Sequence, residues 1–213
     1  MLYHQNNFIM VHVPKTAGTS IEEIFGFRYY NENDKIDPKR FEFELEKYNK
    51  KLTQSHPKHF RFIDYENLLS EQIMIRYFKF AFIRNPWDLI VSKFEYGKST
   101  NIITWEFLKD FEKSKKEISF EEYLEGMKNY VDMDFDYWLI GKKYSLDYIG
   151  KLENINEDWA YICGRCQMDK LELPIVNKNK KRKRNYQDYY NSKTKDYIYN
   201  RYKKWIKEFK YEF

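Results

Sequence analysis

The stretch FIMVHVPKTAGTSIEEIF, residues 8–25, decides the fold. Phe8 to Val13 is an apolar run with β-branched residues, interrupted only by His12, and it has the pattern of a strand buried on both faces, as in a parallel sheet. Pro14-Lys15 and the small residues Thr16 to Ser20 end it. Ile21, Ile24 and Phe25 then fall on one face of an expected helix, with Thr19 or Ser20 as its cap. In a loop of small residues, backbone N–H groups can converge on an anion at a helix N-terminus, where the macrodipole is favourable, and Lys15 adds a mobile full charge. The chemistry is that of a phosphate or sulfate cradle, and the competing reading is an ordinary tight strand-to-helix turn. It is not the G-x-x-x-x-G-K-[ST] loop of nucleoside triphosphatases, because the lysine precedes the glycine and no Ser/Thr follows a Gly-Lys pair.

The arrangement recurs. YFKFAFI, residues 77–83, is a second buried-strand candidate and ends in Arg84-Asn85-Pro86. Asn85 is a good N-cap and Pro86 a good first helical residue, which predicts a helix burying Trp87, Ile90, Val91 and Phe94. Two strand-loop-helix units with helical segments between them predict an α/β layer fold with a mostly parallel sheet in one domain, 1–213, and ligands bind such sheets outside the carboxyl ends of strands. Asp147 to Leu152 is a third strand candidate, followed by a helix over about 156–166. Residues 101–140 read as helical, with Ser119 and Glu122 as a capping box. A last helix is predicted from about Ser192, carrying Ile198, Tyr202, Trp205 and Phe209 on one face. Residues 29–58, with a helix start at Asp37-Pro38, read as peripheral.

Composition sets the bounds. With 213 residues, 20% aromatic and 33% charged, the chain can bury a core without disulfides or structural metal. A formal net charge of +5 fits an anionic partner without naming it. Cys163 and Cys166 form a C-x-x-C, but no second pair or histidine cluster completes a zinc set, so they read as packed or idle thiols of a reducing compartment. No basic-apolar leader and no apolar run near the length of a membrane span is visible, and a cytoplasmic protein is expected.

HVPKTAGTS followed by FKFAFIRNPWDLIVSKFEY resembles the family of carbohydrate sulfotransferases that use 3′-phosphoadenosine 5′-phosphosulfate (PAPS). The pair is much more specific than either motif, and the resemblance continues through DYIGKLENINEDWAYIC, LPIVNKNKKRKRNYQDYY and the closing EFKYEF, leaving out roughly residues 29–55. It implies a P-loop-like central sheet flanked by helices. By position, Lys15, Thr16, Ala17, Gly18, Thr19 and Ser20 would take the 5′-phosphosulfate, and Arg84 and Ser92 the 3′-phosphate.

In PKHFRFIDY, His59 stands where uronyl-type members carry a catalytic histidine. A histidine suits a base that takes a proton from a sugar hydroxyl as its oxygen attacks sulfur, because imidazole titrates near neutrality. Lys15 would stabilise charge on the leaving phosphate oxygen, and the scheme requires no metal. His56 is the rival base; His12 reads as a satisfied core or supporting residue, His4 as idle, and Glu153 of LEN as an orienting or solvated group.

The run Lys178 to Arg184 has six cations in seven positions. The resemblance implies a lid over the 3′-phosphate and adenine, with Lys180 and Arg182 as the donor contacts. The implied acceptor is a hydroxyl, most naturally of a saccharide, with no specific nucleic acid. One departure bears on it: where the family has a Pro-Gln pair, this chain reads YVDMDFDYWL. Two other classes compete, an ATP-dependent small-molecule kinase using the cradle and a non-enzymatic polyanion or nucleic-acid binder using the basic run.

Overall fold

The computed structural model describes residues 1–25, 59–100, 118–130, 134–169, 171–174 and 184–213, and they divide between two compact units. The first, Met1–Ile83 with Phe135–Val176, holds a four-stranded sheet. Its strands are β1 (Leu2–Tyr3), β2 (Phe8–Val11), β3 (Phe78–Ile83) and β4 (Tyr148–Lys151), in that spatial order. β2, β3 and β4 run parallel, registered as Phe8 on Phe78 and Phe80 on Tyr148. β1 is antiparallel to β2, with Leu2 opposite Ile9. The sheet is therefore mixed and mostly parallel. The two-residue β1 is too short to leave a periodic signal and has no counterpart in the sequence reading.

Every residue of β2 is buried, and β3 is buried from Lys79 to Ile83, as a sheet covered on both faces requires. On one face Phe8, Met10, Phe80 and Phe82 pack with Ile21 of α1 (Gly18–Ile24) and with Trp159, Ile162 and Cys163 of a later helix, Ile155–Arg165. Cys166 closes the same cluster. Neither thiol is in a disulfide and both are buried, and burial pushes that of Cys166 up to about 12, so of the two expected roles they take the packed one.

Two short helices, α2 (Phe62–Leu68) and α3 (Glu71–Arg76), precede β3. α3 opens on Ser70, whose side chain accepts from the Ile73 N–H.

The second unit, Arg84–Asp134 with Asn177–Phe213, is helical. α4 (Pro86–Thr100) starts as read from the sequence: Asn85 Oδ1 accepts from Trp87 N at 3.1 Å and the Asn85 carbonyl accepts from Leu89 N. α5 (Phe120–Gly126) carries the expected Ser119/Glu122 capping box. In the first unit, α6 (Phe135–Leu139) and α7 (Ile155–Arg165) complete the order before α8 (Ser192–Arg201) and α9 (Lys203–Glu208). The single C-terminal helix expected from Ser192 is two helices. It breaks at Tyr202, whose ψ of 15° ends the ladder while its ring stays 1% exposed. Arg201 locks that end, donating to Asp134 Oδ1 at 2.6 Å, Tyr130 O at 2.6 Å and Met127 O at 3.1 Å.

Candidate functional site

In the first unit β2 and β3 are parallel neighbours, so Val11 and Ile83 end on one edge of the sheet. The loop that follows β2 is built from backbone conformations that only particular residues tolerate. Lys15 has φ 70° and Ala17 φ 68°, both left-handed. Such reversals turn successive N–H groups toward one side, the concave arrangement that binds anions. Thr16 pins the loop, donating its hydroxyl to Val13 O at 2.8 Å while 1% exposed. α1 begins at Gly18 with Ala17 as N-cap and no side-chain cap. Thr19 and Ser20, read as candidate caps, lie instead in the first turn, because Ala17 in the left-handed region starts the helix early.

Gly18 is set by space. A Cβ there would fall 2.3 Å from His12 Cδ2 and 2.5 Å from His12 Nε2. The imidazole of His12 thus lies directly against the first residue of the helix. Its Nδ1 is 2.7 Å from Glu22 Oε1, with the two side chains 4% and 2% exposed. Glu22, one turn along α1, is not singled out by any pattern in the sequence, although the spacing from His12 to Glu22 spans only the loop and that turn.

The same ring meets His59. Their centroids are 4.9 Å apart, edge to face, and His59 Nδ1 lies 3.4 Å from His12 O. A carbonyl can only accept, so this contact calls for the proton on Nδ1, the tautomer whose lone pair is on Nε2. Trp138 of α6 is 6.1 Å from His59, and Arg61 stands over Tyr137 at 5.0 Å. Arg61 is held by a bidentate pair with Asp64, at 2.9 and 2.7 Å. The stretch YVDMDFDYWL therefore supplies an aromatic neighbour of His59, Trp138.

Of the predicted residues, Lys15 to Ser20 and His59 are brought together in this unit through His12. His4 is engaged with Tyr77 at 2.5 Å and sits by β1, away from the loop edge. Glu153 is exposed, in a short 3-10 turn after β4. His56, Lys180 and Arg182 lie outside the described residues.

In the second unit Arg84 precedes the cap of α4 and is bound by Asp88, Nε to Oδ2 at 2.8 Å and Nη2 to Oδ2 at 2.6 Å. Asp88 was missed, though its i,i+4 spacing from Arg84 was the available signal. Ser92 stands another four residues along, on the same side of α4 as Asp88, and is half-buried. A guanidinium has five N–H donors, so one edge held by a carboxylate fixes the plane in which the other can meet a phosphate.

The donor set suits a phosphosulfate nucleotide. The Pro14–Ala17 loop offers N–H groups and the Lys15 ammonium, and the neighbouring carboxylate, Glu22, is turned onto His12. Among the described residues no group of three or more His, Cys, Asp or Glu is placed to hold a metal ion, and no helix is long and apolar enough to cross a membrane.

An uncharacterized protein of Archaeoglobus fulgidus is 30% identical over 112 residues, which cover 51% of this chain and 78% of that protein. No solved structure matches. A model of the sulfotransferase family matches residues 1–212. The kinase and non-enzymatic readings give way: the chain belongs to the sulfotransferase family, enzymes that take their sulfuryl group from PAPS.

Proposed function

We propose that this sulfotransferase acts on a hydroxyl of a saccharide, with His59 as general base and Lys15 as the cation at the leaving group. The observation that carries the reading is the contact of one buried ring, His12, with both Gly18 of the loop and His59. PAPS, when bound, supplies the sulfuryl group and leaves as adenosine 3′,5′-bisphosphate. His59 Nε2 accepts the proton of the attacking hydroxyl, the step that a base within hydrogen-bond reach accelerates by about 10²- to 10⁴-fold. Lys15 and the N–H groups of residues 15–20 stabilise the negative charge that develops on the 5′-phosphate oxygen. Arg84, oriented by Asp88, and Ser92 bind the 3′-phosphate, and Lys180 and Arg182 cover the nucleotide. The half-buried Tyr137 and the guanidinium of Arg61 beside it offer the flat and charged surfaces that suit a sugar ring carrying an acid group.

The test is transfer of ³⁵S from labelled PAPS to a panel of neutral and uronate-containing oligosaccharides, beside thermal unfolding with adenosine 3′,5′-bisphosphate or with ATP and magnesium. Saccharide labelling and selective stabilisation by the bisphosphate support the reading. Labelling confined to non-sugar alcohols would move the acceptor to another class.

A further inference from the structure

A cleft of about 520 Å³ opens at the opposite edge of the same sheet, at the amino ends of the strands. It lies around Asn7, before β2, around Phe78 and Lys79 at the start of β3, and around Asp147, before β4. β2 has four residues, which at about 3.3 Å each puts the cleft roughly 13 Å from the loop edge, too far for a ligand there to meet the reacting atoms.

Its charges do not balance. Among the described lining residues Arg76, Lys79 and Arg165 are cationic and Asp147 is the one carboxylate. Asp147 is already spent: it pairs with Lys79 Nζ at 2.6 Å and accepts from Lys79 N at 2.7 Å, and Lys79 is 5% exposed. Arg76 and Arg165 are exposed and have no carboxylate partner among the described residues. Arg165 lies over the Phe78 ring at 5.5 Å. A cation on the last turn of a helix is ordinary, since it complements the dipole. Here the last residues of α3 and α7 are both arginines and open on one cleft.

Ile75, Tyr77, Phe78 and Cys166 share the wall with four amides, Gln5, Asn6, Asn7 and Gln167. Gln5 Oε1 accepts from Tyr3 and Asn6 Nδ2 donates to Cys166 O, which leaves the Gln5 NH₂, the Asn6 carbonyl oxygen and the Asn7 and Gln167 side chains as the groups that can meet hydroxyls. Gln167 follows α7 with φ 52°, at a C-terminal position where glycine is usual, so an amide side chain stands there against conformational preference. Amides for hydroxyls and two surplus guanidiniums for acid groups select a polyhydroxylic polyanion. The volume lies in the range of small-ligand sites.

We infer that this cleft is an exosite for a carboxylate- or sulfate-bearing oligosaccharide, holding a polymeric acceptor away from the point of transfer. This rests on the saccharide reading of the acceptor, and its test is independent of turnover. A uronate-containing hexasaccharide, a neutral glucose hexamer and inorganic sulfate are titrated calorimetrically into the wild type and into the double variant Arg76→Gln/Arg165→Gln, whose exposed side chains can be changed without opening the core. The expected result is hexasaccharide binding weakened at least tenfold in the double variant, with the thermal shift from adenosine 3′,5′-bisphosphate unchanged and the glucose hexamer silent. Equal affinity of both proteins for the uronate hexasaccharide overturns the exosite. So does displacement of the hexasaccharide by equimolar sulfate, which would reduce the cleft to a site for simple ions. Loss of sulfate transfer with the cleft binding intact would instead count against the acceptor reading alone.

Discussion

His12 and Glu22 form a buried pair, Nδ1 to Oε1 at 2.7 Å, beside the loop proposed to hold the donor. The pair fixes one imidazole that touches both Gly18 and His59. Glu22→Ala strips a buried donor of its acceptor, which costs about 1–3 kcal/mol. Urea unfolding should register that loss, whereas Glu22→Gln, keeping an acceptor oxygen, should recover most of it. Equal stability of Glu22→Ala and the wild type would mean that the pair contributes nothing.

Gly18→Ala drives a methyl group into the His12 ring. Overpacking of this kind costs about 1–3 kcal/mol. Because the displaced ring also packs on His59, transfer should slow by more than the stability loss implies, and His12→Ala, which opens the space, should tolerate alanine at position 18 in stability but not restore the rate. The double-mutant cycle in urea measures the coupling.

His59→Ala should lower kcat by about 10²- to 10⁴-fold while adenosine 3′,5′-bisphosphate still binds. In the wild type the rate should fall on acidification, because a protonated imidazole has lost the lone pair that a base requires. A flat rate profile from pH 5 to 8 would remove His59 from the proton transfer.

Arg84→Ala should weaken the bisphosphate by roughly 10- to 100-fold, the range of a lost charge-assisted hydrogen bond. Arg84→Lys should not restore it, since an ammonium cannot be held by Asp88 at two nitrogens while presenting a second planar edge. Isothermal titration distinguishes the two variants. Full affinity in Arg84→Lys would reduce the arginine to a point charge.

The Cys166 thiol, pushed up to about 12 by burial, stays protonated in the fold well above the ordinary thiol value of 9.0. The folded state therefore binds the proton that the unfolded chain releases above pH 9.0, so this contribution to stability is complete below that pH and is lost progressively toward 12. Denaturation midpoints should fall over that alkaline window, less steeply in Cys166→Ala. A thiol reagent at pH 8 should modify Cys166 only as fast as the chain opens.

The chain's local patterns carried much of the fold. The apolar runs at residues 8–13 and 77–83 became β2 and β3, because a strand covered on both faces is recognisable from its own composition. Asn85-Pro86 and Ser119-x-x-Glu122 set helix starts because capping is decided within four residues. At Tyr202 the apolar spacing continues unbroken through a backbone break, so the two C-terminal helices read as one in the sequence.

The candidate site divides the same way. Lys15 to Ser20 and Arg84 could be named as candidates from contiguous motifs whose residue types suit an anion, and His59 through its position in the family resemblance. Asp88 on Arg84 was within reach of i,i+4 spacing. That His12 touches Gly18 and His59 together was not legible, because His12 and His59 are 47 positions apart and meet only through the packing of buried rings. Nor was the convergence of Arg76 and Arg165 on one cleft, which follows from the parallel register bringing the amino ends of β2, β3 and β4 to a common edge. By itself, then, the sequence determined the three parallel strands, the loops that follow β2 and β3, and the family, which are written in short runs of residues. Tertiary structure alone decided which distant side chains share a ring, a charge or a cleft, since those contacts depend on strand order and burial rather than on any local pattern.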